Sequence, residues 1–406
     1  MSETNTPAAH TPEITAHETG PQGQNAPRPM PDPASIRRIL VTAYGHIADV
    51  LPSGPALRAL RAAYPQARIT VLAVGYVKEM LEACPSIDEV IIFEDFKHKG
   101  TRRGKVEQLL KLAQWAPRLY GRFDMALVFH ARSRFLSRLA WLSGAKVRAG
   151  FLDVASASML THPAQPFEGI ASFRDENRRV LEAVGVTSMP ESLELWPSAS
   201  DEEAITTLFK EHQITDDEVV IGLHPGSHWT CQQWSPKEWA KVADDLISRY
   251  QARIIITGAD DERDLAAAII NQMAVKDVSP VDVTGRTSIL QFAALLKRLN
   301  LLICVNSAAS QVGLAVGTPT LNLVGYENPV WTAPLKTEPM TIIRGCDDSN
   351  AVEYWCPYHV WGRLSQCHRA ECVGIGGLSL ITPAMVLRQA QRQLTSHPAR
   401  KQHSVK

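Results

Sequence analysis

From Ile36 onward the chain alternates short, nearly unbroken apolar runs with longer stretches in which apolar residues recur every three or four positions. The first pattern marks a strand covered on both faces, the second an amphipathic helix. Strands are predicted at 38–43 (RILVTA), 67–74, 89–93, 124–129 and 146–151, separated by helices at 53–64, 75–84, 105–120 and 134–143. The alternation then restarts, with strands at 219–223, 253–257, 281–284, 300–305, 320–324 and 341–344 and helices at 236–249, 259–273, 288–298 and 307–316. A last amphipathic helix is predicted over 382–394, with Thr382 as its N-cap and Pro383 at its first position.

Strands that alternate with helices pair in parallel through right-handed crossovers. The chain therefore reads as two α/β, doubly wound, Rossmann-like domains in tandem, one over 36–195 and one over 196–380. The stretch 188–204 mixes proline, serine and acidic residues and reads as their connection. Residues 1–35 read as a disordered tail, because 1–34 hold seven prolines and almost nothing aliphatic to bury; 381–406 read as a terminal helix with a polar tail. Two such domains are expected to face a cleft built from the carboxyl ends of both sheets, where open α/β sheets bind ligands.

Composition narrows the partners. Lys plus Arg and Asp plus Glu number 42 each, so no global field draws the chain to nucleic acid, and an anionic ligand must be held by a local site. No run approaches the ~18 apolar residues of a spanning helix, and the N-terminus lacks the apolar segment of a secretion signal, which predicts a cytoplasmic protein. The seven cysteines are an odd number, which argues against a secreted disulfide framework. Four of them, Cys346, Cys356, Cys367 and Cys372, cluster without the tight pairs of a zinc ribbon; ordinary thiols, a metal and a disulfide all remain open there. The aromatics Tyr354, Trp355, Tyr358 and Trp361 nearby read first as packing and second as a stacking surface.

Candidate chemistry concentrates where strands end. Asp49 follows the first strand at the start of a helix, the position for a carboxylate with work to do. In the second domain Pro225-Gly226-Ser227 follows a strand, with Gln232 shortly after, and its backbone N–H groups and hydroxyl suit a diphosphate; a plain strand-to-helix turn explains the same residues. Two further loops have the same placement: Thr284-Gly285-Arg286-Thr287-Ser288, and Asn306-Ser307-Ala308-Ala309-Ser310-Gln311 opening a helix. Together the three outline a nucleotide-diphosphate pocket better than any one of them. His224 reads as a structural histidine or a donor contact. His130, Arg132 and Arg134 after the fourth strand read either as an acceptor-phosphate site or as a solvated helix start.

With these motifs in order, the chain resembles glycosyltransferase family 9, the heptosyltransferases of the lipopolysaccharide inner core. The likeness covers roughly residues 37–395, through Asp49-Val50-Leu51, Pro55-Ala56-Leu57-Arg58-Ala59-Leu60, Cys84-Pro85-Ser86-Ile87-Asp88, Trp234, Trp239 and the three loops above. The resemblance implies a GT-B fold and inverting sugar transfer from an ADP-sugar to a glycan or lipid-linked acceptor, without metal or other cofactor. It also implies peripheral contact with the membrane through that acceptor. It makes Asp49 the base that deprotonates the acceptor hydroxyl, and Gly226, Ser227, Gln232, Thr284, Gly285, Arg286, Asn306, Ser307, Ala308 and Gln311 the donor site. The chain departs from the family pattern at Ala48, which precedes Asp49 where glycine is usual, and at three polar positions of the donor site. Gln232 stands where a lysine is usual, and Asn306 and Gln311 replace the aspartate and histidine of the run Asp-Ser/Thr-Gly-x-x-His. Losing a charge-assisted contact to phosphate costs about 1.5–3 kcal/mol, so a binding protein without turnover and a sugar-nucleotide epimerase stand as rivals.

Overall fold

The computed structural model describes residue 29 and residues 32–94, 102–129, 134–151, 158–167, 171–227, 232–325, 333–344 and 378–396, apart from the side chains of Arg102, Lys105 and Arg134. Most of the predicted tail over 1–35 lies outside these residues, as do the four clustered cysteines and the aromatics among them.

Each apolar run becomes a strand of one of two six-stranded sheets, and every pairing is parallel. The first sheet holds β1 (Arg38–Ala43), β2 (Arg68–Ala73), β3 (Glu89–Ile92), β4 (Met125–Phe129), β5 (Val147–Phe151) and β6 (His162–Ala164) in the order β3-β2-β1-β4-β5-β6. The second holds β7 (Val220–His224), β8 (Arg253–Ile256), β9 (Val281–Asp282), β10 (Leu301–Val305), β11 (Thr320–Val324) and β12 (Met340–Arg344) in the order β12-β11-β10-β7-β8-β9. Read from β9, the second sheet repeats the winding of the first. Each sheet therefore has one point where the strand order reverses, between β1 and β4 and between β7 and β10, and that is where a doubly wound fold opens a crevice.

The first sheet carries helices α1 (Ile47–Val50), α2 (Gly54–Ala63), α3 (Lys78–Glu82), α4 (Arg102–Leu119), α5 (Arg134–Leu142) and α6 (Phe173–Glu182). α7 (Ala199–Glu211) follows, then α8 (Pro236–Tyr250), α9 (Arg263–Gln272), α10 (Ile289–Lys297), α11 (Ala308–Val316) and α12 (Pro383–Ser396). Besides the one-turn α1, three of these elements lie outside the strands and helices read from the pattern. β6 is three residues long, contains Pro163 and pairs only with β5, as proline permits at a sheet edge. α6 is crowded with charge, and Arg174 and Asn177 are buried beside Val180 and Leu181, which breaks the apolar repeat. The acidic residues read as linker at 188–204 are partly the first turn of α7. Ser198 caps it, receiving the Asp201 N–H and giving its own N–H to Asp201 Oδ2 at 2.8 Å, and carboxylates at a helix start oppose its dipole favourably.

The two sheets meet. α1 packs on α11 and α3 on α10, and Ser288 Oγ donates to Glu79 Oε1 at 2.5 Å across the junction. Arg174 of α6 makes a two-pronged pair with Glu338, just before β12, at 3.1 and 3.3 Å. One hydrophobic cluster runs without a break from the first sheet to the α7, α10 and α11 side of the second, while the other face of the second sheet packs separately on α8, α9 and α12.

Candidate active site

Asp49 sits in the one-turn helix α1, directly past the carboxyl end of β1. Its orientation is fixed from the preceding backbone, because the His46 N–H donates to Asp49 Oδ2 at 2.7 Å. Gly45 makes this possible: at φ +152° a Cβ would lie 2.5 Å from Asp49 Cβ and 2.8 Å from Oδ2. A short glycine turn thus presses the backbone onto the carboxylate, which stays half-buried rather than enclosed. The His46 ring stacks on Tyr76 at 5.2 Å and braces the same turn.

Across the junction, α1 faces α11, whose N-terminus follows β10. Ser307 is the N-cap, yet its Oγ is buried without a hydrogen-bond partner, and Ala308 opens the helix. Asn306 accepts from Asn322 Nδ2 at 3.3 Å, and Gln311 is buried one turn into α11. The first N–H groups of a helix lack internal acceptors and favour an anion, and a small-residue start lets one approach.

The loop after β7 lies at the same sheet edge. Gly226 and Ser227 are buried, and Ser227 Oγ donates to Gln232 Oε1. Trp234 and Trp239 pack edge to face at 5.3 Å, and Trp234 Nε1 donates to the Ile381 carbonyl at 3.0 Å, anchoring the loop to the segment before α12. After β9, Gly285 adopts φ +68° and its N–H donates to the Gly258 carbonyl at 2.9 Å. Thr284 is buried with an unpartnered Oγ1, whereas Arg286 is exposed and reaches back to the Asp282 carbonyl at 3.4 Å. Two buried hydroxyls without partners, Ser307 and Thr284, lie in two of the three loops read as the donor site; each costs about 1–3 kcal/mol unless a ligand satisfies it.

Glu262 is the residue the sequence reading missed. It belongs to the loop after β8, and its carboxylate lies over Gly226, where a Cβ would come within 1.9 Å of Cδ. The Ala259 N–H donates to Glu262 Oε2 at 2.7 Å. Burial, aided by neighbouring Asp261, raises this carboxyl above its usual range. A desolvated carboxylate at a sheet's carboxyl edge is a natural acceptor for hydroxyl groups. The available signal was a fourth strand end carrying Gly258 and three acidic residues at 260–262. His224, at the end of β7, bonds Thr257 Oγ1 at 2.9 Å and packs on Phe292, and burial pushes its pKa down to about 4, so it sits neutral.

His130 and Arg132 lie outside the described residues, and Arg134 is placed as the first residue of α5 without its side chain. Among the described residues no group of three or more His, Cys, Asp or Glu is arranged to hold a metal ion, and no helix is long and apolar enough to cross a membrane.

Two like-wound parallel sheets with their carboxyl ends turned to one cleft define the GT-B class. The model of glycosyltransferase family 9 (heptosyltransferase) matches residues 123–361, and the chain belongs to that family and is a glycosyltransferase. The lipopolysaccharide heptosyltransferase 2 of Salmonella typhimurium is 26% identical over 318 residues, covering 75% of this chain and 87% of the relative. Among solved structures, the family 9 glycosyltransferase of Veillonella parvula superposes with a TM-score of 0.71 at 24% identity, covering 89% of this chain and 98% of the other. The ADP-heptose lipopolysaccharide heptosyltransferase II of Escherichia coli superposes at 0.67 and 19% identity, covering 88% and 99%.

Proposed function

We propose that this glycosyltransferase is inverting and metal-independent, and that it moves a sugar, by family default heptose from ADP-heptose, onto a lipopolysaccharide-core acceptor at the membrane surface. Support for the donor and acceptor comes from the relatives named above. Support for the chemistry comes from one juxtaposition: the helix bearing Asp49 packs against the helix that opens at Ser307 and Ala308, whose free N-terminal N–H groups favour an anion. The domain over 36–195 takes the acceptor, and that over 196–380 takes the nucleotide sugar.

In this reading the diphosphate lies against the N–H groups at Ser307 and Ala308 and the turn at Gly226 and Ser227, with the two unpartnered hydroxyls, Ser307 and Thr284, turned to it or to its nucleoside. Glu262 receives sugar hydroxyls. Asp49, held by the His46 N–H, takes the proton of the acceptor hydroxyl as that oxygen attacks the anomeric carbon from the face opposite the departing diphosphate. The new carbon–oxygen bond forms as the bond to the diphosphate breaks, and the charge that develops on the leaving group meets the helix N-terminus. Neutral Gln232, Asn306 and Gln311 leave this stabilisation to backbone dipoles and hydroxyls.

The test pairs binding with turnover. Asp49→Asn is expected to keep the thermal shift given by ADP or ADP-heptose and to lower transfer about 10²–10⁴-fold. A nucleotide shift with no transfer by the wild type to any core acceptor favours the binding-protein reading, which the neutral residues at 232, 306 and 311 motivate. Conversion of a nucleotide sugar without acceptor favours the epimerase.

A further inference from the structure

We propose that the outer face of α4, together with the adjoining ends of α4 and α5, is a docking surface for an anionic lipid bilayer. α4 turns Leu112, Trp115 and Leu119 inward and packs on α5. Its opposite face leaves Val106, Leu109 and Leu110 open, with Tyr120 just beyond the helix and Trp141 at the end of α5; all five are 51–73% exposed. Tyr120 and Trp141 are held at one corner. The Gly121 N–H donates to the Ser143 carbonyl at 2.9 Å and the Gly144 N–H to the Trp141 carbonyl at 3.1 Å. The Tyr120 ring lies so close over Gly144 that a Cβ there would be 3.2 Å from it. At 1.5 Å per residue the apolar stripe from Val106 to Tyr120 is about 20 Å long.

Charge selects the partner. Residues 102–148 hold eleven Lys and Arg against two acidic residues, Glu107 and Asp124, in a chain whose 42 basic and 42 acidic residues balance only as a whole. Asp124 is engaged by Arg38 and by the Arg37 and Arg38 N–H groups, and Glu107 pairs with Lys111. Arg103, Arg118, Arg122 and Lys146 are exposed on these helices and their turns. An apolar stripe with aromatics at one end and a cationic border fits the interfacial zone of an anionic bilayer, where each exposed cation adds on the order of fivefold in affinity. A second copy of the chain would bring two cationic fields together. The C-terminus of α4 reaches the amino edge of the first sheet, where the Asp124 N–H meets the Arg38 carbonyl, so its N-terminus points to the carboxyl edge that carries Asp49. Docking through this face would set the cleft mouth beside the bilayer. The inference rests on the glycolipid-acceptor reading for its purpose but not for its test.

The full chain is sedimented with vesicles of phosphatidylcholine alone and of equal parts phosphatidylcholine and phosphatidylglycerol, none carrying a glycan. Association with the anionic vesicles is expected, falling steeply with salt, together with little association with the neutral ones. The pair Leu109→Asp and Leu110→Asp is expected to weaken it about tenfold or more, with thermal stability and ADP binding unchanged, because both side chains are exposed. Arg118→Glu with Lys146→Glu is expected to weaken it comparably and to flatten the salt dependence. Equal affinity for neutral and anionic vesicles, no affinity for either, or full binding by the Leu109/Leu110 variant overturns the proposal. So does a wild-type dimer that this variant converts to monomer, which assigns the face to self-association.

Discussion

Two small groups at the end of β7 carry opposite constraints. At Gly226 the constraint is space: a methyl group would meet the Glu262 carboxylate at about 2 Å. Gly226→Ala is therefore expected to push Glu262 out of the cleft, costing at least about tenfold in ADP affinity by calorimetry, with a fold that still melts cooperatively. Glu262→Gln, which leaves the space intact, separates loss of the carboxylate from loss of the turn. Unchanged affinity in both variants removes the donor from this edge. At His224 the constraint is solvation. The folded state holds it neutral with a pKa of about 4 against the 6.5 usual for a histidine, so between those values the unfolded chain binds the extra proton. Stability contributed by the neutral ring is present above pH 6.5 and is lost as pH falls toward 4, by up to about 3 kcal/mol. His224→Gln is expected to flatten that part of the stability profile in denaturant titrations at several pH values; an unchanged slope refutes it. Gly226 was visible in the sequence as a turn after a strand. Glu262 was not, since its tie to Gly226 spans 36 residues of chain and one sheet neighbour, and only parallel pairing of β7 with β8 brings them together.

At the scale of elements, what the sequence left out is also what joins the lobes. Apart from the edge strand β6, the strands of both sheets could be read because they form nearly unbroken apolar runs. α6 could not, because its inward face carries Arg174 and Asn177. Arg174 is there to reach the other lobe: its guanidinium meets both oxygens of Glu338 and the Glu191 carbonyl, and the paired side chains are only 7% and 11% exposed. Truncation leaves a buried charge without its partner, so Arg174→Ala is expected to lower stability by about 3 kcal/mol, read as a lower urea midpoint at unchanged slope. Replacing both residues, Arg174→Met with Glu338→Leu, is expected to recover most of that loss, since a buried pair is often no better than a well-packed apolar one. A double variant as unstable as the single one would mean that the Glu191 carbonyl and the Leu335 N–H, not the ion pair, depend on this contact.

Two domains facing a cleft suggest two folding units, but the packing says otherwise. The cluster that fills the first sheet continues through α7, α10 and α11 into one face of the second, so neither lobe closes its core alone. Lobes that meet through small polar interfaces unfold separately; lobes that share buried Leu, Ile and Val lose both cores when either opens. One calorimetric transition is expected, with calorimetric and van't Hoff enthalpies in agreement. ADP gives the sharper check, because its proposed contacts lie wholly in the second sheet. At 100 times its Kd a ligand stabilises the state it binds by about 2.7 kcal/mol, and with a shared core that gain must appear throughout the molecule. Amide exchange in β1, β2 and β4 is then expected to slow along with that in β7 and β10. If nucleotide protects the second sheet and leaves the slowest amides of the first unchanged, the continuous cluster does not couple the lobes. Asp49 and the donor loops would then belong to halves that fold independently although they touch.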